Sequence, residues 1–562
     1  MAQAEILPID TIQELLEFRE PPLFSVEPLR EVKRGEPNAP RTMFCHDMMG
    51  GYLEDRFIHG CNKFNSYRFH HWQVIDSFVY YSHHLITIPP RGWISAGHTH
   101  GVKVLAPRSV SCPLAGTLSA ESNAGTRFFS KIRGGKLEHQ VATQLARIAA
   151  LYRFDGWLVS VSCKLDTCCM SFMKAFLRLL TEETHSAVPG SMVIWYDSIT
   201  RGGKLCKQNK LNCKNHVFFD LCDGIFLNCE WNEEMLEYSA RFARDRKSDV
   251  YVGIDVFARR TNYAGGFETR EAVAQARKHG LSAAIFAAGW VYEKQDKSKF
   301  VDNQCRFWDF PDELCNDWRV VTLPLKTSFC QGFGEKLYEA GEVVSTTPWY
   351  NLAKQQLQPR DQGTAVCSGC GSATVTTTSA YNGGGCLRLQ FEPNDADVRP
   401  YFRLFGCDVP LGALYIMYAI EPDGVDLVGC DFAIVLTVRS AEGETGEIRL
   451  GFSAAVPDEQ IYCAARVDSC TSFAGDDISA SRWITRIYNV WDLSGNAKLQ
   501  EIGAAFESRH ASCCLLGELV VELLDQVRDK VEEDNDEGLE TTINYDNDDD
   551  DDGQPKAKIM RL

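Results

Sequence analysis

The chain lacks long apolar runs and any excess of basic residues. No window holds eighteen uninterrupted apolar residues, so the sequence predicts no transmembrane helix and no membrane association. Lysine and arginine number 58 against 76 acidic residues, which leaves no basic stripe for nucleic acid or an anionic lipid surface. The first residues contain neither a basic segment nor an apolar one, so no secretory signal is expected there.

The sequence also gives little support for disulfide bonds or metal sites. Without a secretory signal, the 22 cysteines are expected to remain reduced thiols, and we predict a cytoplasmic protein. Cys367 and Cys370 have the spacing of metal ligands, but no second Cys or His pair follows them. His83, His98 and His100 match no metal-binding spacing and are interpreted as structural or ligand-contacting. The sequence therefore predicts no metal and no cofactor.

The chain is long enough for two or three domains, since 562 residues exceed what one core usually supports. Residues 531–553 contain twelve acidic and no basic residues, so they account for most of the net charge of −18. We predict a flexible N-terminal lead-in over 1–42, a barrel domain over 43–360, a β-sandwich region over 361–530, and an acidic disordered tail over 531–562.

Strand and helix patterns alternate between about residues 65 and 335. Apolar runs predict strands at 74–80, 102–105, 156–161, 192–197, 224–228, 250–256 and 283–288. Helical patterns lie between several of them, at 137–151, 168–183 and 268–279. This alternation predicts an α/β fold with a parallel sheet, most economically a (β/α)8 TIM barrel, with an eighth strand near 327–331. Short alternating segments after residue 359 predict the antiparallel β-sandwich.

Eight segments of the sequence, in their order and spacing, closely resemble glycoside hydrolase family 85, the cytosolic endo-β-N-acetylglucosaminidases. These segments span residues 45–56, 76–83, 88–90, 100–105, 195–198, 219–228, 253–257 and 285–293. The resemblance covers about residues 43–360, and the region 361–530 behind it fits the carbohydrate-binding-like sandwich domains that accompany the family's barrel. It implies a substrate-assisted retaining glycosidase that cuts between the two GlcNAc units of an N-glycan core. The implied partner is therefore an N-glycan or a free oligosaccharide, and protein partners stay unknown.

The resemblance also implies where the catalytic groups belong. In the family, an Asn orients the substrate acetamide, and a Glu two residues later acts as the general acid and base. These positions fall on Ser160 and Ser162, which follow the buried run 156–159. A serine hydroxyl does not donate a proton near neutral pH, so we predict a catalytically impaired member of the family. Lys207 replaces an expected Trp, and residues 106–112 depart from the family pattern.

Other candidate site residues lie at or just beyond predicted strand ends. Substrate-binding candidates are Tyr196, Asp197, Asn228, Trp231, Asp255, Trp290 and Glu293. Trp231 and Trp290 are equally well interpreted as flat faces for a sugar ring and as loop packing. Glu230 is the first candidate for a relocated acid, although a solvated loop position is the favoured interpretation of this residue. Two alternatives therefore remain: an active glycosidase that uses Glu230, and a non-catalytic interaction scaffold.

Overall fold

The protein, a computed structural model, is described over residues 4–19, 25–33, 38–110, 136–161, 163–311, 314, 320–360, 363–366, 371–392, 401–422, 432–451, 465–473, 483–492, 495–506 and 512–524. It divides into two compact units. The first contains the described residues up to Val320, with Cys330–Leu337 and Ser345–Gln358. The second contains Val321–Phe329, Tyr338–Val344 and the described residues from Pro359 onward. Ser162, the pair Cys367 and Cys370, and the predicted tail 531–562 lie outside the described residues.

Eight parallel strands close a barrel in the first unit. They are β1 (Thr42–His46), β2 (Ser77–Tyr80), β3 (Lys103–Val110), β4 (Gly156–Val161), β5 (Met192–Tyr196), β6 (Gly224–Leu227), β7 (Val250–Asp255) and β8 (Ser282–Phe286). Each strand pairs with the next in chain order, and β8 pairs with β1 to close the barrel. The predicted TIM barrel is confirmed.

Alternate residues of all eight strands fill the interior of the barrel. They form one apolar cluster of Met43, Cys45, Val79, Leu105, Leu158, Met192, Ile194, Phe226, Tyr251 and Ala284. The intervening residues, such as Val159 and Trp195, pack in the larger cluster that includes residues of the surrounding helices. Because both faces of a parallel barrel strand are covered, β4 is a continuous buried run and not an alternating one.

The first unit contains nine α-helices among its described residues. They are α1 (Ile12–Leu16), α2 (Arg91–Thr99), α3 (Lys136–Tyr152), α4 (Met170–Ala187), α5 (His216–Phe219), α6 (Glu233–Ala243), α7 (Thr269–Lys278), α8 (Trp290–Glu293) and α9 (Phe300–Trp308). The three predicted helices correspond to α3, α4 and α7. In α4, Met173, Phe176, Leu177 and Leu180 are buried at helical spacing, so one face of the helix joins the core. Of the helices described here, none is both long and apolar enough to span a bilayer.

The N-terminal segment contributes apolar side chains to the first unit. The sequence predicts a flexible lead-in over 1–42, and the described parts of that range contain α1. Its cap is a capping box, in which the Thr11 side chain accepts a hydrogen bond from the Glu14 N–H and the Glu14 side chain accepts from the Thr11 N–H. Ile6, Ile9 and Leu15 are buried in the same cluster as the outer barrel residues.

The second unit is antiparallel and has two main sheets. The larger contains Gly363–Val366, Gly371–Thr376, Cys386–Phe391, Ser512–Leu523, Ala413–Pro422, Ile484–Asp492 and Ala465–Phe473 in that order, with Leu325–Thr327 paired to Ser512–Leu523. The smaller contains Tyr401–Pro410, Lys498–Phe506, Phe432–Arg439 and Thr445–Leu450. Side chains join the sheets: Tyr418 donates a hydrogen bond to Leu450 O at 2.6 Å, and Arg486 donates to Phe432 O at 2.9 Å. The predicted β-sandwich is confirmed.

Shorter strand pairs complete the fold. Gln331–Gly334 pairs antiparallel with Trp349–Gln355 in the first unit. Leu337–Glu339 and Glu342–Ser345 form a two-stranded sheet.

Two sequence predictions about the barrel strands are wrong. The missing eighth strand is Thr42–His46 at the beginning of the barrel, and Leu325–Thr327 belongs to the large antiparallel sheet. The sequence pattern does not predict the first strand, because this strand has only five residues and ends in a histidine. Residues 106–110, expected to follow a strand that ended at 105, instead extend β3 to Val110 and pair in register with β4.

Candidate functional site

Ser160 lies near the carboxyl end of β4, on the side of the strand that faces the interior of the barrel. Leu158 belongs to the interior cluster, and side chains two residues apart on a strand point to the same side. Ser160 is 7% exposed. The N–H of the next residue, Val161, donates to the Ser198 hydroxyl at 3.2 Å, which fixes the strand end against the segment after β5. Ser162 falls outside the described residues.

Tyr196 and Asn228 form a hydrogen-bond chain on the two strands that follow β4. The Tyr196 hydroxyl donates to Asn228 Oδ1 at 2.9 Å, and Asn228 Nδ2 donates to Asn209 Oδ1 at 2.6 Å. Burial raises the pKa of the Tyr196 phenol, so the group remains a neutral hydroxyl. The Lys207 ammonium lies 5.9 Å from the centroid of the Tyr196 ring. The structure thus brings two sequence-predicted residues together.

Asp197, the residue after β5, is fully buried and holds the following loop in place. Its Oδ2 accepts the backbone N–H groups of Gln208 and Asn209, each at 2.8 Å, and its Oδ1 accepts from Asn215 Nδ2 at 3.0 Å. Burial raises the pKa of this carboxyl, while the hydrogen bonds act to lower it. Because its oxygens are engaged within the protein, Asp197 acts on the site by positioning Asn209.

Asp255 ends β7 and binds an exposed arginine. Arg259 donates from Nε to Oδ2 at 2.8 Å and from Nη2 to Oδ1 at 3.0 Å. The Asp255 side chain is 5% exposed and that of Arg259 is 60% exposed, so the carboxylate is buried beneath a guanidinium that reaches solvent. Hydrogen bonding to Asp255 is the main cause that raises the pKa of Arg259. This two-bond geometry fixes the orientation of the guanidinium plane.

Asp47, directly after β1, is a residue that sequence reasoning missed. Burial raises the pKa of the Asp47 carboxyl. Electrostatic interactions with His83 and Arg259 act to lower this pKa, and the interaction with Asp255 acts to raise it. Asp47 and His83 follow β1 and β2, and Asp255, which binds Arg259, ends β7, so these four residues form a rim at the carboxyl ends of the three strands. Recognition of Thr42–His46 as a strand would have revealed Asp47, because polar residues at strand carboxyl ends are site candidates in a barrel.

Glu230 and Trp231 are neighbours in sequence but lie in different environments. Glu230 is exposed, and its backbone N–H donates to Asn209 Oδ1 at 3.3 Å. Trp231 is 1% exposed, donates from Nε1 to Gly253 O at 2.8 Å, and stacks on Tyr263 with 4.7 Å between ring centroids. Its indole is thus used in packing, just before Asn232 caps α6 by accepting from the Met235 N–H.

Trp290 and Glu293 begin and end the short helix α8, which follows β8. Both are half-buried. The Trp290 ring packs edge-on against Phe267, with 5.2 Å between centroids, and it covers Gly266, where a Cβ would come within 2.9 Å of the indole. Trp290 is therefore the more accessible of the two candidate tryptophans.

Two of the three histidines that the sequence interpretation considered are held by hydrogen bonds, and the third, His83, contacts the Tyr81 ring with 5.5 Å between centroids. His98 contacts Asp155 Oδ2 at 2.9 Å and Glu27 O at 2.8 Å through its two ring nitrogens. His100 contacts Ala96 O at 2.7 Å and accepts the Gln358 N–H at 3.0 Å. His83 is exposed at the rim.

A closed parallel barrel with polar side chains at the carboxyl ends of its strands is the architecture of a barrel enzyme, whose active site lies at that face. The sequence profile described as Glycosyl hydrolase family 85 matches residues 52–337. The chain belongs to this family, as its sequence motifs predict.

Three curated relatives share the description "Cytosolic endo-beta-N-acetylglucosaminidase". The Gallus gallus protein is 44% identical over 377 residues, which are 66% of this chain and 48% of that protein. For Mus musculus the identity is 37% over 547 residues, covering 91% and 71%. For Homo sapiens it is 39% over 447 residues, covering 78% and 56%. The chain thus spans about half of the length of two of these relatives and more of the third.

A solved structure shares the fold. The glycoside hydrolase domain of Endo-D from Streptococcus pneumoniae superposes with a TM-score of 0.70 at 17% identity, covering 92% of this chain and 83% of that one.

Proposed function

We propose that this chain is a carbohydrate-binding family 85 barrel that has lost most of its hydrolytic power. Its ligand is the GlcNAc–GlcNAc core of N-glycans or of free oligosaccharides, and its location is the cytosol. Membership of the family and the names of the relatives support this ligand class and this location. The single observation on which the loss depends is the pair of serines at 160 and 162, where the family resemblance implies Asn and Glu.

The chemistry explains why these two serines matter. Cleavage assisted by the substrate acetamide needs a group that protonates the departing oxygen, and such general acid catalysis contributes about 10²–10⁴-fold. An orienting amide stabilises the charge that develops on the acetamide, and removal of one such donor costs about 10²–10³-fold. A serine hydroxyl replaces neither function. Even if the two losses overlap, little turnover should remain.

The described residues retain groups that suit sugar binding. The Tyr196–Asn228–Asn209 chain orders hydroxyl and amide groups beside β4. Arg259 presents an exposed guanidinium held by Asp255. Such fixed donors and acceptors bind the hydroxyl groups of an oligosaccharide without performing chemistry on it.

The test combines a turnover assay with calorimetry. Mass spectrometry should detect no glycan release from a high-mannose glycopeptide by the purified protein, whereas titration with a chitobiose-core glycan should produce binding heat. The double variant Ser160→Asn with Ser162→Glu should gain turnover, limited by Lys207. Its matched control is Ser160→Asn with Ser162→Gln, which has similar volume but no acid and should stay inactive.

Three outcomes separate the alternatives. Turnover by the unaltered protein would disprove the proposed loss. Absence of binding heat would instead indicate an interaction scaffold. Equal turnover by the Glu and Gln variants would show that an acid at position 162 is not what the barrel lacks.

A relocated acid is a second candidate function, and one observation favours it. Asp47 is a rim carboxyl whose pKa is raised by burial, as a general acid near neutral pH requires. Glu230, the candidate from the sequence, is exposed. If the unaltered protein proves active, Asp47→Asn should abolish turnover and Glu230→Gln should not. The reverse result would identify Glu230 as the acid.

A further inference from the structure

Three potential metal ligands meet away from the carboxyl ends of the strands. His70 and His71 precede the short turn Trp72–Val74 that leads toward β2, and Cys305 lies on α9. One donor atom from each residue lies within 4.8 Å of the other two. His70 is 1% exposed and His71 is 3% exposed, and Cys305 is half-buried.

The imidazoles of this cluster have buried polar atoms with no hydrogen-bond partner among the described residues. These atoms are both ring nitrogens of His70 and Nε2 of His71. A neutral imidazole offers one N–H donor and one lone pair, and a buried polar atom left unpaired costs folding free energy. Coordination of a cation by the lone pairs removes part of that cost, so the cluster itself points to a ligand.

The protonation states of the histidines also suit a metal. Burial lowers the pKa of His70 far below its usual range and that of His71 to about 3. Both rings are therefore neutral at physiological pH, which is the form that coordinates metal. Burial, with Asp302 and Asp309, raises the pKa of the Cys305 thiol to about 12. A coordinated cation deprotonates such a thiol outright.

The cluster is held in place by neighbouring hydrogen bonds. Gln304, which is fully buried, donates from Nε2 to Arg68 O at 2.9 Å. Trp308 Nε1 donates to Gln304 Oε1 at 2.9 Å. The first bond connects α9 to the segment that contains His70 and His71, and the second, within α9, holds the Gln304 side chain in place.

We propose that His70, His71 and Cys305 form a structural zinc site. Two imidazoles and a thiolate are ligands that zinc prefers, whereas magnesium and calcium prefer oxygen. Zinc bonds of about 2.0–2.3 Å place donor atoms about 3.5 Å apart, so donor atoms that now lie within 4.8 Å of one another must approach by about 1 Å. Water completes a four-coordinate shell. The ion links the segment ahead of β2 to α9 and takes no part at the carboxyl ends of the strands.

Metal content and cobalt spectroscopy test the site. All proteins contain Cys367→Ser and Cys370→Ser, so that this pair does not contribute metal. The protein should retain about one zinc per chain after dialysis, because two imidazoles and a thiolate hold the ion. Cys305→Ser should lower the affinity at least about tenfold, since loss of even an outer-shell partner does so. Cys61→Ser, another half-buried cysteine, should change nothing.

Cobalt absorption spectroscopy distinguishes this site from adventitious metal binding. The measurement can be made on Cys305→Ser even if this variant retains no zinc. Cobalt added to the chelator-treated protein should produce thiolate charge-transfer absorption. His71→Ala should weaken cobalt binding and keep this absorption at saturation, because the thiolate remains, whereas Cys305→Ser should abolish it. Zinc-free folded protein that does not take up either ion would disprove the proposal. Unchanged absorption in folded Cys305→Ser would disprove it as well.

Discussion

Trp231 offers the sharpest test of the site, because the sequence admits a sugar-binding ring and the structure shows a packed one. Its indole is 1% exposed, donates to Gly253 O at 2.8 Å and stacks on Tyr263. Truncation of a buried Trp to Ala costs about 3–5 kcal/mol, a large share of the roughly 5–15 kcal/mol that stabilises a domain. Trp231→Phe is therefore the better perturbation.

The magnitude follows from the contacts that phenylalanine loses. The hydrogen bond to Gly253 O contributes about 0.5–1.5 kcal/mol net. Stacking on Tyr263 contributes about 0.5–1.5 kcal/mol, and the smaller phenylalanine ring loses part of it. We expect Trp231→Phe to lower the free energy of unfolding by about 1–2 kcal/mol. Because the ring does not face solvent, glycan affinity should not change.

Urea unfolding measures the stability, and calorimetric titration with a chitobiose-core glycan measures the affinity. Trp290→Ala is the matched comparison, since Trp290 is half-buried at the carboxyl end of β8. This variant should lose glycan affinity and little stability. If Trp231→Phe abolishes glycan binding while stability stays within about 0.5 kcal/mol, the Trp231 ring faces the ligand and the reasoning is wrong.

Two further predictions concern stability. Burial lowers the pKa of His46 to about 3, so below about pH 6.5 this histidine binds a proton in the unfolded chain but not in the folded one. This site alone should lower the free energy of unfolding by about 2 kcal/mol between pH 7.5 and 5. His46→Leu should reduce this pH dependence, measured by urea unfolding, and an unchanged pH dependence would contradict the prediction. Gly156 has φ +135°, and a Cβ there would lie 1.9 Å from Met192 O, whereas Gly190 has φ +78° and open space. Gly190→Ala should lower the free energy of unfolding by about 1–2 kcal/mol, and Gly156→Ala should lower it by more than about 4 kcal/mol. Equal free energies of unfolding for the two variants would contradict this prediction.

The sequence predicts most of the barrel because parallel strands buried on both faces leave continuous apolar runs between helical patterns. Val250–Asp255 and Gly156–Val161 are recognisable for this reason. Thr42–His46 is not, because it is short and its pairing partners, β2 and β8, come later in the chain. A strand that closes a barrel is identified by its neighbours in space, which no local pattern records.

The sequence by itself determined the family, the barrel, and the side of β4 on which Ser160 lies, because these follow from local order and from two-residue alternation. Only the tertiary structure decided which candidates meet. It buried Trp231 against Tyr263, placed Asp47 in the electrostatic reach of Arg259, and brought Cys305 to His70. Burial and the approach of distant segments depend on how elements pack, and these contacts then set the pKa values and the accessible surfaces of the same side chains.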